Sequence, residues 1–286
     1  MTNSKNISAS IRAKLRNKAM AENKPFQEIL QYYGMERFIY RLSVSKYRHK
    51  FVLKGALILY SLDVNERRAT MDIDFSFLDV LDIDSLKEMI KEICVINIDD
   101  DGIMFDPDSI RIQAIRQNIN YEGLRVKFTG YLDKAKIPIQ LDMSFRENFS
   151  PEPIDIYYPA ILKMTGPILK GYRIETVISE KFEAMIKLGS INSRMKDFYD
   201  IWLLINQFEI DKSALKEAIH KTFQFRETVI PTEKPFFDKD IYDDNSDRQI
   251  LWRTFINKNH LSNAPDTLGT VACKIEDFLS PILKKS

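Results

Sequence analysis

Cysteine is nearly missing from this chain: Cys94 and Cys273 are the two present in 286 residues. They lie far apart, so neither a disulfide framework nor a C-x-x-C metal or redox motif is expected. Histidine is as scarce. His49, His220 and His260 are scattered, which argues against a zinc site. Nine glycines exclude a collagen-like or low-complexity chain. Long apolar runs are lacking as well. Ile201-Trp202-Leu203-Leu204-Ile205 is typical of the longest and far too short for a bilayer. The first residues are polar and basic, without the apolar stretch of a signal peptide. A reduced, cytoplasmic setting with no membrane partner is therefore the expectation. Net charge is missing too: 42 basic residues balance 41 acidic ones, leaving +1.

What is present fits a globular protein. The apolar fraction is 44% and the charged fraction 29%, and the length suits one large domain or two small ones. The charge is unevenly placed. Arg12, Lys14, Arg16 and Lys18, then Arg37, Arg41, Lys46, Arg48 and Lys50, make the first fifty residues basic, and an acidic stretch runs from Asp79 to Asp108. A basic N-terminal face of this kind either holds a nucleic-acid backbone or is an ordinary solvated helix face.

Apolar periodicity predicts helix from about Ser8 to Val44, with Ile7, Ile11 and Leu15 and then Phe26, Ile29, Leu30 and Tyr33 on one stripe, and Pro25 as a first-turn proline. A short apolar segment, 51–54, meets Gly55 before a short helix. Strands are expected at 71–78, 110–117, 124–131 and 137–145, with a helix at 84–93 between the first two. This mixture argues for an α/β or α+β core. Pro151, Pro153, Pro159 and Pro167 mark an irregular connector. Beyond Thr176 the pattern is helical, with Gly189 ending one helix, Ser193 capping the next, and further helices near 211–224, 246–258 and 267–283.

The chemistry is concentrated in a few places. In Arg68-Ala69-Thr70-Met71-Asp72-Ile73-Asp74-Phe75, the two carboxylates sit one residue apart. On a strand they would project together, with Met71, Ile73 and Phe75 on the opposite side. Like charges that close are costly unless a cation lies between them, and a hard ion such as Mg²⁺ takes oxygen ligands while keeping positions open for phosphate. Asp142, between Leu141 and Met143, is the natural third acid. Lys54-Gly55 ahead of a helix start would let backbone N–H groups approach phosphate. Lys181 flanks the stripe of Ile178, Phe182 and Met185 and could reach a triphosphate. In Ser193-Arg194-Met195-Lys196-Asp197-Phe198-Tyr199-Asp200, Lys196 and Asp200 stand at i, i+4 spacing. Bulky apolar neighbours there imply burial, and a network of Lys181, Arg194 and Asp197 would give the buried charges partners.

Taken in order, the segments 51–57, 68–74, the Asp142 strand, 175–184 and 193–200 resemble the AbiEii/AbiGii toxin family of nucleotidyltransferases, a branch of the polymerase-β-like superfamily. The resemblance implies an α+β fold: a nucleotidyltransferase-like mixed β-sheet core over 51–165, an N-terminal helical segment over 1–50, and a helical C-terminal lobe over 166–286. It implies transfer of a nucleotidyl group from an NTP to an RNA acceptor, with tRNA the substrate of some members. It also implies a neighbouring antitoxin with a DNA-binding domain. Asp72, Asp74 and Asp142 would hold Mg²⁺, and Lys181 and Asp197 would join them as catalytic residues. Lys54, Gly55, Arg68, Thr70, Arg194, Lys196 and Asp200 would line the nucleotide site. The glycine motif departs from many relatives in lacking a second Gly or Ser after Gly55. A metal-dependent nuclease and a non-enzymatic binding module are the alternative readings of the same residues.

Overall fold

Alternation of buried and outward residues organises the first part of the chain around a sheet. The computed structural model describes residues 2–62, 64, 66–79, 82–98, 100–118, 121–145, 150–189 and 193–284. The chain divides into two compact units: 1–63, 69–147 and 154–171 form the first, and 64–68, 148–153 and 172–286 the second.

The first unit begins with helices α1 (Thr2–Ala21) and α2 (Phe26–Val44). The helical stretch expected over 8–44 is two helices that break just before Pro25, and Pro25 sits at the N-cap of α2, not inside its first turn. Then come β1 (Phe51–Lys54), α3 (Ala56–Ser61), β2 (Ile73–Phe77), α4 (Ile83–Cys94), β3 (Ile103–Asn118), β4 (Tyr121–Leu132), β5 (Ala135–Phe145), β6 (Ile154–Tyr157) and β7 (Ile168–Gly171). The strands form one seven-stranded mixed sheet in the order β3-β4-β5-β2-β1-β7-β6. β2 runs parallel to β5 and β1 parallel to β7, and the remaining pairs are antiparallel.

One face of the sheet is apolar. Phe51 lies opposite Phe77, Leu53 opposite Phe75, and Ile73 opposite Leu141, and these six are fully buried. The Phe51 ring stands edge-on to Phe75 and Phe77, at centroid separations of 5.3 and 4.9 Å. Helix α2 packs closely here because Gly34 has no side chain: a Cβ would come within 2.7 Å of Ile137 Cγ2. Each buried aromatic or aliphatic side chain contributes about 1.5–3 kcal/mol relative to exposure.

Two expectations need correction. The strand expected over 71–78 starts at Ile73, and Met71 is 54% exposed instead of sharing the buried side with Ile73 and Phe75. The proline-rich connector contains β6 and β7, and β7 is interior to the sheet. Four-residue strands beside prolines carry too little pattern to be seen, and their pairing is non-local: β7 pairs with β1, and β6 with β7. The basic N-terminal face is also thinner than its sequence suggests. Arg37 and Arg41 are 2% and 3% exposed, with Arg37 on Glu36 and Arg41 on Asp101.

The second unit is helical: α5 (Ile174–Leu188), α6 (Met195–Gln207), α7 (Lys212–Phe225), α8 (Asp247–Lys258) and α9 (Leu268–Leu283). Caps set three of the starts. Asp211 accepts from the Ser213 and Ala214 amides, Ser246 from Gln249, and Thr267 from Thr270. Gly189 closes α5 at φ 44°. Ser193 does not cap α6. Arg194 occupies that position without a side-chain cap. No helix among the described residues is long and apolar enough to cross a membrane.

Candidate active site

Strand register assembles the acids. In the parallel pair β2–β5, Asp74 stands opposite Asp142. On the far side of Asp74, β1 places Lys54 opposite it, and on the far side of Asp142, β4 places Arg125 opposite. Directly opposed residues share a face, so Lys54, Asp74, Asp142 and Arg125 form one row across the sheet, away from the phenylalanine face. Asp72 lies one residue before β2. One carboxylate oxygen from each of Asp72, Asp74 and Asp142 can be chosen so that all three lie within 4.8 Å of one another.

Each acid is held. The Arg125 guanidinium grips Asp142 in a two-point contact, Nε to Oδ1 at 2.8 Å and Nη2 to Oδ2 at 2.7 Å, and Gln140 adds a donor to Oδ1 at 3.2 Å. That hydrogen bonding, then the charges of Asp142, Asp72 and Asp74, holds the guanidinium above its usual range. Thr70 donates its hydroxyl to Asp72 Oδ1 at 2.6 Å, and its amide donates to the Tyr32 hydroxyl on α2 at 3.0 Å. Gly55 has a role in the apoprotein itself. Its φ is 70°, and a Cβ there would lie 2.0 Å from Asp74 Oδ2. The glycine is needed both for the left-handed backbone and for the carboxylate that rests against it.

The remaining candidates lie in the second unit. Lys181 on α5 reaches two aspartates of α6, Asp197 at 2.9 Å and Asp200 at 2.7 Å. Asp200 also receives Arg68, from Nη2 at 2.9 Å and Nε at 3.0 Å. Arg194 Nε lies 2.9 Å from Asp197 Oδ2. Burial opposes the charge on Lys181, but Asp197 and Asp200 outweigh it and hold the ammonium above its usual range. Burial likewise opposes ionisation of Asp200, and Arg68 and Lys181 overcome it, so its carboxyl is held below its usual range. Arg68 is carried by a segment that is itself anchored. Tyr199 donates to the Glu66 carbonyl at 2.5 Å, and the Glu66 carboxylate accepts from Ser262 and the Asn263 amide at 2.7 and 2.9 Å.

The i, i+4 spacing of Lys196 and Asp200 does not become a contact, because Asp200 points at Arg68 and Lys181. Lys196 has no ion pair or hydrogen bond among the described residues, and its side chain lies at the surface. Local desolvation, then the neighbouring Arg68 and Arg194, holds its ammonium below the usual lysine range.

Arg125, Gln140 and Tyr32 were not legible as site residues. Arg125 had a usable signal. A two-residue turn, Asp133-Lys134, joins β4 to β5 with Asp133 at φ 52°, and counting back from that turn puts Arg125 opposite Asp142. Gln140 is two residues from Asp142 on the same strand face, and Tyr32 had no local signal.

Over residues 37–272 the sequence matches the family described as "Nucleotidyl transferase AbiEii toxin, Type IV TA system". Among solved structures, MenT4, a nucleotidyltransferase toxin from Mycobacterium tuberculosis H37Rv, aligns with a TM-score of 0.52 at 14% identity, covering 96% of this chain and 99% of that one. JHP933 from Helicobacter pylori aligns at 0.50 with 17% identity, covering 89% of this chain and 94% of that one. At such identities the two likenesses speak for the fold. No curated protein sequence matches. The family match spans far more than half of the chain, and the protein belongs to the AbiEii family of nucleotidyltransferase toxins of type IV toxin–antitoxin systems.

Proposed function

We propose that this nucleotidyltransferase uses Mg²⁺ and an NTP to modify an RNA acceptor, with tRNA as the substrate class. In this reading it acts in the cytoplasm and is paired with an antitoxin carrying a DNA-binding domain. The observation that carries the reading is the triad of Asp72, Asp74 and Asp142, with oxygens within 4.8 Å of one another. The donor set is all oxygen and suits a hard divalent ion. When bound there, such an ion supplies positive charge for phosphate and lowers the pKa of an attacking hydroxyl.

The other tasks fall to the chain's own groups. Thr70 orients Asp72, and Arg125 with Gln140 orients Asp142. Gly55 leaves the space that the Asp74 carboxylate fills. In the second unit, Lys181 is engaged by two buried aspartates, so we assign it to positioning α6. Lys196 and the half-exposed Arg194 are better placed to take up phosphate, because Lys196 stands among cations and makes no ion pair among the described residues, its nearby Asp197 being engaged by Lys181 and Arg194. An anionic ligand would relieve that repulsion.

The test is incubation with labelled ATP, GTP, CTP and UTP, each separately, with Mg²⁺ and total RNA. Label on RNA of unchanged length is expected, and on tRNA above other species. RNA shortened without label would favour the nuclease reading and overturn this one.

A further inference from the structure

A second cleft lies in the first unit and shares no residue with the acid triad. It encloses about 630 Å³, inside the range of roughly 300–1,000 Å³ typical of small-ligand sites. Its walls come from α1, from the middle of α2, from Ile98, Asp100 and Asp101, and from 163–165. The α1 wall is fixed in place. The Ser8 hydroxyl donates to the Gly102 carbonyl at 2.6 Å, and Arg12 pairs with Asp133 at 3.2 Å. Part of this wall lies before residue 37, where the family match begins.

The charges around the cleft differ from those elsewhere in the N-terminal region. Arg12, Lys18, Arg41, Lys46 and Lys50 are each engaged by an acid. Lys14 and Lys163, both lining the cleft, are exposed and have no ion pair or hydrogen bond among the described residues. Asp100 at the same rim is likewise exposed and unpaired. Asp101 is not available, because Arg41 holds both of its oxygens, at 2.6 and 3.2 Å. Deeper in, Arg37 is 2% exposed. Its Nη2 donates to Glu36 and to the Thr165 carbonyl, but its Nε is buried without a hydrogen-bond partner. Buried donors normally have partners. The Tyr40 ring lies beside this guanidinium, with its centroid 4.6 Å from Cζ, and Ile11 and Met164 add apolar surface.

We propose that this cleft binds a small nucleotide of nucleoside-monophosphate size. Lys14 and Lys163 would take the phosphate as point charges. Asp100 would accept from ribose hydroxyls, as acidic side chains do in dinucleotide sites. The base would lie against Tyr40, Ile11 and Met164, beside the charge of the buried Arg37 guanidinium. A polynucleotide is disfavoured, because backbone binding needs a track of free cations and Arg12, Lys18, Arg41, Lys46 and Lys50 are each neutralised by an acid.

Titration calorimetry on the full chain carrying Asp72→Ala and Asp74→Ala keeps the test independent of the triad. AMP, GMP, the two nucleosides, orthophosphate and a short single-stranded RNA are the probes. A nucleoside monophosphate is expected to bind at one site, at least about tenfold tighter than its nucleoside or orthophosphate. Adding Lys14→Glu and Lys163→Glu is expected to weaken it by at least about tenfold with an unchanged circular dichroism spectrum. Undiminished binding by that charge-reversed variant overturns the proposal. So does failure of both monophosphates to bind at millimolar concentration, or tighter binding of the RNA through the same two lysines.

Discussion

Three aspartates on the sheet of the first unit are flanked by two cations, Lys54 and Arg125. Two aspartates on the helices of the second unit are surrounded by three, Arg68, Lys181 and Arg194. The first cluster is acid-rich, and Asp72 and Asp74 remain partly exposed. The second is base-rich, and both of its aspartates are 1% exposed or less. An acid-rich, accessible cluster has the donor chemistry to take a cation from outside. A buried network with its carboxylates neutralised is complete within the fold, and removing one member leaves charge stranded. The two clusters should therefore respond in opposite ways to mutation.

The largest contrast is expected between activity and stability. Replacing Asp72 and Asp74 together by Ala should abolish RNA labelling, while the thermal midpoint stays the same or rises as like-charge repulsion is relieved. A folded double variant that still labels RNA would remove the triad from the mechanism. Asp200→Ala should do the reverse, costing about 3–5 kcal/mol because Lys181 and Arg68 lose a buried counter-charge, as read by urea unfolding. A cost near zero would mean that the network is not structural.

Gly55→Ala joins both effects. The positive φ alone should destabilise by more than about 1 kcal/mol, and the clash with Asp74 should reduce labelling further than the lost stability explains. Unimpaired labelling would show that Asp74 can move freely.

The pH response of the second cluster has a defined sign. Asp200 is held below its usual value of 3.8, so its contribution is complete above that pH and disappears as pH falls through its folded value. Lys181 is held above 10.5, so its contribution is complete below that pH and disappears as pH rises through its folded value. The stability gap between wild type and Asp200→Asn should therefore be flat between these limits and narrow under acid. A gap that widens on acidification would contradict the assignment. The smallest effect on folding is expected from Lys196→Ala. It should raise KM for the NTP with little change in thermal midpoint, and an unchanged KM would leave phosphate binding to other groups.

Local signals in the sequence were readable where structure is local. Helices α7, α8 and α9 start at Asp211, Ser246 and Thr267 because short polar side chains satisfy their first amides. The resemblance to the family rested on motifs in order, which the match over 37–272 supports. Pairing was not readable in the same way. Strands β6 and β7 gain their hydrogen bonds from each other and from β1. Arg37 and Arg41 look solvated in sequence and are buried, because Glu36 and Asp101 neutralise them. Ser193 stood where a cap was expected and Lys196 at helical spacing from Asp200, and neither makes that contact.

By itself, the sequence determined the periodicities: which residues are apolar, which helices have caps, and which acids stand two residues apart beside an apolar run. The tertiary structure decided which charges meet. Asp142 reaches Asp74 through parallel strands about seventy residues apart, and Asp200 reaches Arg68 across 132 residues. Electrostatic energy depends on distance in space and on burial, and neither is set by separation along the chain.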